Sequence, residues 1–177
     1  MQPSTKIAEK LLSLLNEEKV IGYHGTVNSI DQFFTEPDQF NKTYAGDHGP
    51  VALLGAFFSS DKDVASSYPF SSPMDSVRSV VAKELDIKNP KVFKNMGAIV
   101  KDIIGLVGEE NFERKYRLVT SNKVQAAREI AIQYKGYLKS QGYDSIVFKE
   151  GPSYHPNKRG MQADTYIVFN ASQISNT

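Results

Sequence analysis

Residues 51–68 read VALLGAFFSSDKDVASSY. The first ten are nearly all apolar until two serines close the run, which predicts a buried strand over Val51–Ser60. Asp61 to Tyr68 follows as a short helix, with Ser60 or Asp61 as its N-cap. A strand that hands over to a capped helix commonly presents ligand-contacting groups at the junction. Toward the N-terminus, residues 35–50 form a polar loop rich in Asp, Asn, Gly and Pro, and Val20-Ile21-Gly22-Tyr23-His24-Gly25-Thr26 reads as a short strand that stops at a glycine. Residues 5–18 place Ile7, Leu11, Leu12, Leu14 and Leu15 at helical spacing, so the chain opens with an amphipathic helix capped by Ser4 or Thr5. Toward the C-terminus, Ser76–Ile87 alternates as a strand that ends before Asn89-Pro90. Two helical patterns follow, Met96–Leu106 and Val124–Leu138, the second stopped by Gly142. The last third returns to strands at Tyr143–Phe148 and Asp164–Phe169, separated by a polar loop from Lys149 to Met161. This order fits an α+β domain and disfavours a doubly wound nucleotide fold, which needs regular βαβ alternation.

The chain has 177 residues, 40% hydrophobic, 23% charged and 11% aromatic, the make-up of one globular domain with helix 1–19 and core 20–174. The absence of cysteine removes disulfides, thiolate metal sites and cysteine nucleophiles together. Lys+Arg 21 against Asp+Glu 20 argues against a broad basic nucleic-acid surface and leaves room for a local one. No apolar run reaches the length of a membrane span, and the N-terminal apolar positions are interrupted by charges, unlike a signal peptide. The expectation is a soluble, cytoplasmic protein, monomeric and without membrane contact. There is no GxGxxG, GxxxxGK[ST], GxSxG or HExxH, and His24, His48 and His155 each stand alone, so no metal is expected.

Three segments stand out: Tyr23-His24-Gly25-Thr26; Gly55-Ala56-Phe57-Phe58-Ser59-Ser60 leading to Ala65-Ser66-Ser67-Tyr68; and Asp164-Thr165-Tyr166-Ile167-Val168-Phe169 with Ser172-Gln173-Ile174 behind it. In this order they resemble the ADP-ribosyltransferases of the diphtheria-toxin and poly-ADP-ribose-polymerase branch with its H-Y-E triad. The pattern is most similar to compact phage and mobile-element members, and it runs from about Val20 to Ile174. The resemblance implies a split β-sandwich cleft flanked by helices that binds NAD as substrate, without a metal. It maps His24 onto the ribose-binding histidine, Gly25 onto the residue whose main chain pairs with the nicotinamide carboxamide, and Thr26 onto a candidate hydroxyl donor. Phe57 falls on the family's triad tyrosine, keeping an aromatic wall but losing a hydroxyl, and Tyr68 falls on the ring-stacking tyrosine. Ala65 stands where the family often has serine, so Ser59 or Ser66 is the candidate replacement hydroxyl.

The third segment leaves two alternatives for the acid. Aligning Tyr166–Phe169 with the family's Y-I-V-Y places Thr165 in the glutamate slot, with Asp164 beside it. A strand alternates faces, so the two cannot both enter the cleft without a bulge. If Asp164 is the acid, Gln162 shares its face and gives a Q-x-D pattern similar to the acceptor-orienting turn of the toxin branch; if Thr165 fills the slot, the chain resembles mono-ADP-ribosyltransferases or inactive relatives. Glu150 and Asp144 are fallback acids. Lys149, Lys158 and Arg159, with Tyr154 and His155, lie in or beside the loop that in the family helps choose the acceptor. The implied partner is a macromolecular acceptor, host protein or nucleic acid, in phage–bacterium conflict, with a cognate inhibitor as a further partner. An NAD glycohydrolase and an inactive NAD-binding or interaction module are the competing readings.

Overall fold

In the computed structural model the strand expected at the first glycine-punctuated segment forms over Val20–Thr26 (β1). The structure describes residues 19–26, 32–40, 49–66, 79–113, 123–150 and 163–177. The helix expected over 5–18 lies outside them.

The apolar stretch Val51–Ser60 departs from its expectation. Gly49–Leu53 is a 3-10 turn, and the strand is confined to Ala56–Ser59 (β2). Val51, Leu53 and Leu54 are buried under the helical layer, where a continuous apolar run suits a buried turn as well as a strand. Gly55 makes the break possible: a Cβ there would lie 2.2 Å from the Val168 carbonyl oxygen. Helix α1 then spans Lys62–Ser66, and the Asp61 carboxylate caps it by accepting from the backbone N–H of Asp63 and Val64 at 2.8 and 2.9 Å.

Strand β3 covers Ser79–Leu85. Pro90–Phe93 forms β4, where a stop was expected; proline is tolerated because it opens an edge strand that has only one neighbour. Helix α2 (Met96–Val107) starts at Asn95, whose side chain accepts from the Ala98 N–H, and a short α3 (Glu109–Phe112) follows. Helix α4 spans Lys123–Ser140 and ends at Gly142, whose φ of 85° gives the left-handed stop that the sequence predicts, with Tyr143 N–H donating back to the Leu138 carbonyl at 3.1 Å. Strands β5 (Ser145–Glu150), β6 (Ala163–Val168) and a short β7 (Ile174–Asn176) complete the set.

The seven strands run in the order β4-β5-β6-β2-β1-β3-β7, antiparallel except for the β4–β5 pair. This is the α+β class expected. One face of the β4–β2 half carries Ile146, Phe148 and Ile167 into a core with Ile99 and Ile103 of α2 and Ile130, Tyr134 and Leu138 of α4. The opposite face holds a smaller cluster of Ala56, Phe58, Leu85 and Val168.

Candidate active site

The junction of β1 with β2 positions the site. The ladder there makes a single register pair, Tyr23 with Ser59, whereas β1 and β3 pair along the whole strand. The imidazole of His24 makes the next connection, its Nδ1 lying 2.7 Å from the Phe57 carbonyl oxygen. A carbonyl only accepts, so Nδ1 carries the proton and Nε2 of the neutral ring is an acceptor. Burial holds the ring below the ordinary histidine range, with the bond to Phe57 pulling weakly the other way. Phe33 meets the ring edge-on at 5.3 Å and Phe58 lies at 5.6 Å, while the two phenyl rings contact each other at 5.1 Å.

The register also separates the two candidates in the third segment. Ser59 pairs with Thr165 and Phe58 with Tyr166. Alternation therefore puts Thr165 on the helix-covered face with Phe57 and Ser59, where it is fully buried, and Asp164 on the opposite face with Phe58 and Tyr166. Contact between His24 and Phe58 puts the imidazole on that same face. The Asp164 backbone is held at both atoms: its N–H donates to Ser60 Oγ at 3.0 Å and its carbonyl accepts from Ser60 N–H at 2.8 Å. Its carboxylate is 41% exposed, with Lys149 Nζ 4.0 Å from Oδ1. Two strand spacings separate β6 from β1, about 10 Å. Beside Asp164 lies a depression of about 340 Å³ lined by Val92, Lys94, Val147 and Lys149 among others.

The other expected residues fall as follows. Gly25 is half-buried in β1 opposite Val80, and Thr26 closes that strand, buried. Phe57 is half-buried against the helix-side core. The Ser59 hydroxyl is buried and accepts from the Asp61 N–H at 3.1 Å, so it is committed to the start of α1. Asp144 serves the turn before β5, its carboxylate accepting from the Lys88 N–H and the Ser145 hydroxyl, each at 2.8 Å. Gln173 is structural as well: its Oε1 accepts from the Asn170 N–H and its Nε2 donates to the Asp86 carbonyl, both at 3.0 Å. Tyr68, Gln162, Tyr154, His155, Lys158, Arg159 and the Glu150 side chain lie outside the described residues. Among the described residues no group of three His, Cys, Asp or Glu could hold a metal.

Sequence reasoning missed the segment 32–40, which carries Phe33 onto His24. Its anchor was visible in one respect: Lys135 falls on the apolar stripe of α4 with Ala131 and Leu138 and is itself only 2% exposed.

Over residues 17–177 the chain matches the family model described as ADP-ribosyltransferase in polyvalent proteins. The chain belongs to that family. No curated protein and no solved structure matches it. Membership carries ADP-ribosylation as the general chemistry of this ADP-ribosyltransferase domain, and NAD as the substrate the family uses. Among the described residues no helix is long and apolar enough to cross a membrane.

Proposed function

We propose that this domain is an NAD-dependent mono-ADP-ribosyltransferase that cleaves the nicotinamide–ribose bond and transfers ADP-ribose to a macromolecular acceptor, host protein or nucleic acid, in phage–bacterium conflict. The observation that carries the reading is the His24 imidazole at the split between β1 and β2, with one acceptor nitrogen left over, on the face that also carries Asp164. The residues fit the substrate: Nε2 accepts from a ribose hydroxyl, and the Gly25 main chain offers a donor and an acceptor to the carboxamide. Tyr68 is the aromatic face for the nicotinamide ring and Thr26, on the His24 face, the neighbouring hydroxyl, whereas Phe57 and Ser59 lie on the helix-covered face away from it.

The bond from the ribose C1′ to the ring nitrogen breaks with its electron pair leaving on nicotinamide, and the positive charge that develops on the sugar is stabilised by the Asp164 carboxylate. An acceptor oxygen or nitrogen, oriented by Gln162, bonds to C1′ and gives up its proton to Asp164 or to water. Thr165 in the family's glutamate slot favours a single transfer over polymer growth, since activating a sugar hydroxyl wants a carboxylate.

A second reading is favoured by the complete burial of Thr165: an inactive domain that binds NAD without turning it over. Incubation of the purified protein with NAD labelled in the adenylate moiety, with and without a bacterial lysate, separates these. Lysate-dependent nicotinamide release with label retained on macromolecules supports transfer, and protease or nuclease sensitivity of that label identifies the acceptor class. Release without retained label indicates a glycohydrolase. NAD binding by calorimetry without any release indicates the inactive module.

A further inference from the structure

The ladder ties β1 to β2 by one pair, so it does not by itself fix how His24 sits relative to β6 and Asp164. A second tie runs through segment 32–40. At one end Phe33 packs on His24 and Phe58. At the other, the Lys135 ammonium of α4 donates to the Thr35 carbonyl, pairs with the Glu36 carboxylate at 3.0 Å, and donates at 2.9 Å to the carbonyl of Phe169, the residue that follows β6. Arg128 adds bonds to the carbonyls of Pro37 and Phe40 at 3.2 and 2.9 Å, and Lys139 reaches Glu36 and Asn170, each at 3.4 Å. Within the segment, Gln39 accepts from the N–H groups of Thr35 and Glu36, both at 2.9 Å, which holds it as one unit.

Burying an ammonium in an apolar stripe is costly, and a hydrophobic residue of like volume usually serves stability as well or better. What an apolar side chain cannot do is join the carbonyl after β6 to the carbonyl and carboxylate of the segment bearing Phe33. We propose that Lys135 is a positioning residue for the candidate active site: by latching segment 32–40 to the end of β6 it holds Phe33 against His24, and so fixes the imidazole with Nδ1 on Phe57 and Nε2 toward the substrate. The role in catalysis rests on the transferase reading; the geometric claim does not. Burial lowers the Lys135 ammonium to about 8, against the opposing pull of Glu36, so the cationic latch weakens in mildly alkaline solution.

The test uses Lys135→Met, which keeps the stem and removes the donors, with Phe33→Leu and the double variant. Ring nitrogen-15 NMR of His24 reads the tautomer without any turnover. The wild type is expected to show one tautomer, protonated at Nδ1, and folded Lys135→Met a mixture of the two. For nicotinamide release, kcat/KM is expected to fall by about 10²-fold, the scale of a misplaced reacting group. The double variant is expected to lose no more than the worse single one, because both act through the same contact. An unchanged His24 tautomer in folded Lys135→Met overturns the proposal, as does full additivity with Phe33→Leu. Should Lys135→Met not fold, Glu36→Gln, which removes only the partly exposed anion, is held to the same tautomer criterion. A wild type that releases no nicotinamide sinks the transferase reading and leaves the NMR arm to decide the latch.

Discussion

A neutral, buried His24 makes stability fall as the solution is acidified, with a sign that can be worked out. Its folded-state proton affinity is lowered by burial, the bond to Phe57 opposing only in part. Well above pH 6.5 neither the folded nor the unfolded chain holds a proton on this ring. As the pH drops through 6.5 the unfolded chain takes one up and the folded chain does not, so unfolding is favoured. The stabilisation present above 6.5 is therefore lost on the acid side, at a limiting slope of about 1.4 kcal/mol per pH unit for one proton. Urea unfolding of wild type and His24→Gln from pH 7.5 to 5.0 isolates this contribution, since the titrations of His48 and His155 are common to both and cancel in the difference. Wild type should lose stability more steeply than the variant, and nicotinamide release should lose kcat/KM only at lower pH, where the folded ring itself takes a proton on Nε2. Equal slopes, or a wild type that gains stability on acidification, would refute the neutral-tautomer reasoning.

Three further outcomes follow from individual contacts. Gly55→Ala should cost about 2–3 kcal/mol, because its Cβ would meet backbone oxygen at 2.2 Å and neither strand can give way; for a chain of this length that lowers Tm by about 5–10 °C in calorimetry. Tyr134→Phe removes a 2.6 Å bond to Asp102 and should cost about 1–2 kcal/mol in urea unfolding, with no change in nicotinamide release. Thr165→Glu, which puts a carboxylate where the H-Y-E resemblance would have its glutamate, should destabilise by several kcal/mol and fail to raise activity, since the position is fully buried on the helix-side face; a stable variant with higher turnover would contradict that placement.

What the sequence made legible was local. Strand β1 is bounded by its own residues, and the stop of α4 follows from Gly142 needing a positive φ, so both were readable from the chain alone. The run Val51–Ser60 was not, because an apolar stretch buried from every side carries no period; its break at Gly55 is set by the approach of Val168 from a strand more than a hundred residues later. Strand β4 escaped notice because four residues beginning with proline show no alternation, and it exists only through its parallel partner β5. The candidate site divides the same way. His24 and the pair Asp164 and Thr165 were visible as a motif, and alternation said they face apart; which of them shares a face with His24 depends on the register of β2 against β6 and on contact with Phe58, neither of which one strand contains. Phe33 and Lys135 act across long separations, and only the odd lysine on an apolar stripe hinted at the second.

Nicotinamide release by wild type, His24→Ala, Asp164→Ala and Thr165→Ala, each first verified as folded, tests the central claim most directly. The account predicts losses of about 10²-fold or more for His24→Ala and Asp164→Ala, with Thr165→Ala retaining most of the wild-type rate. Loss in Thr165→Ala with Asp164→Ala fully active would contradict it and move the chemistry to the opposite face of the sheet.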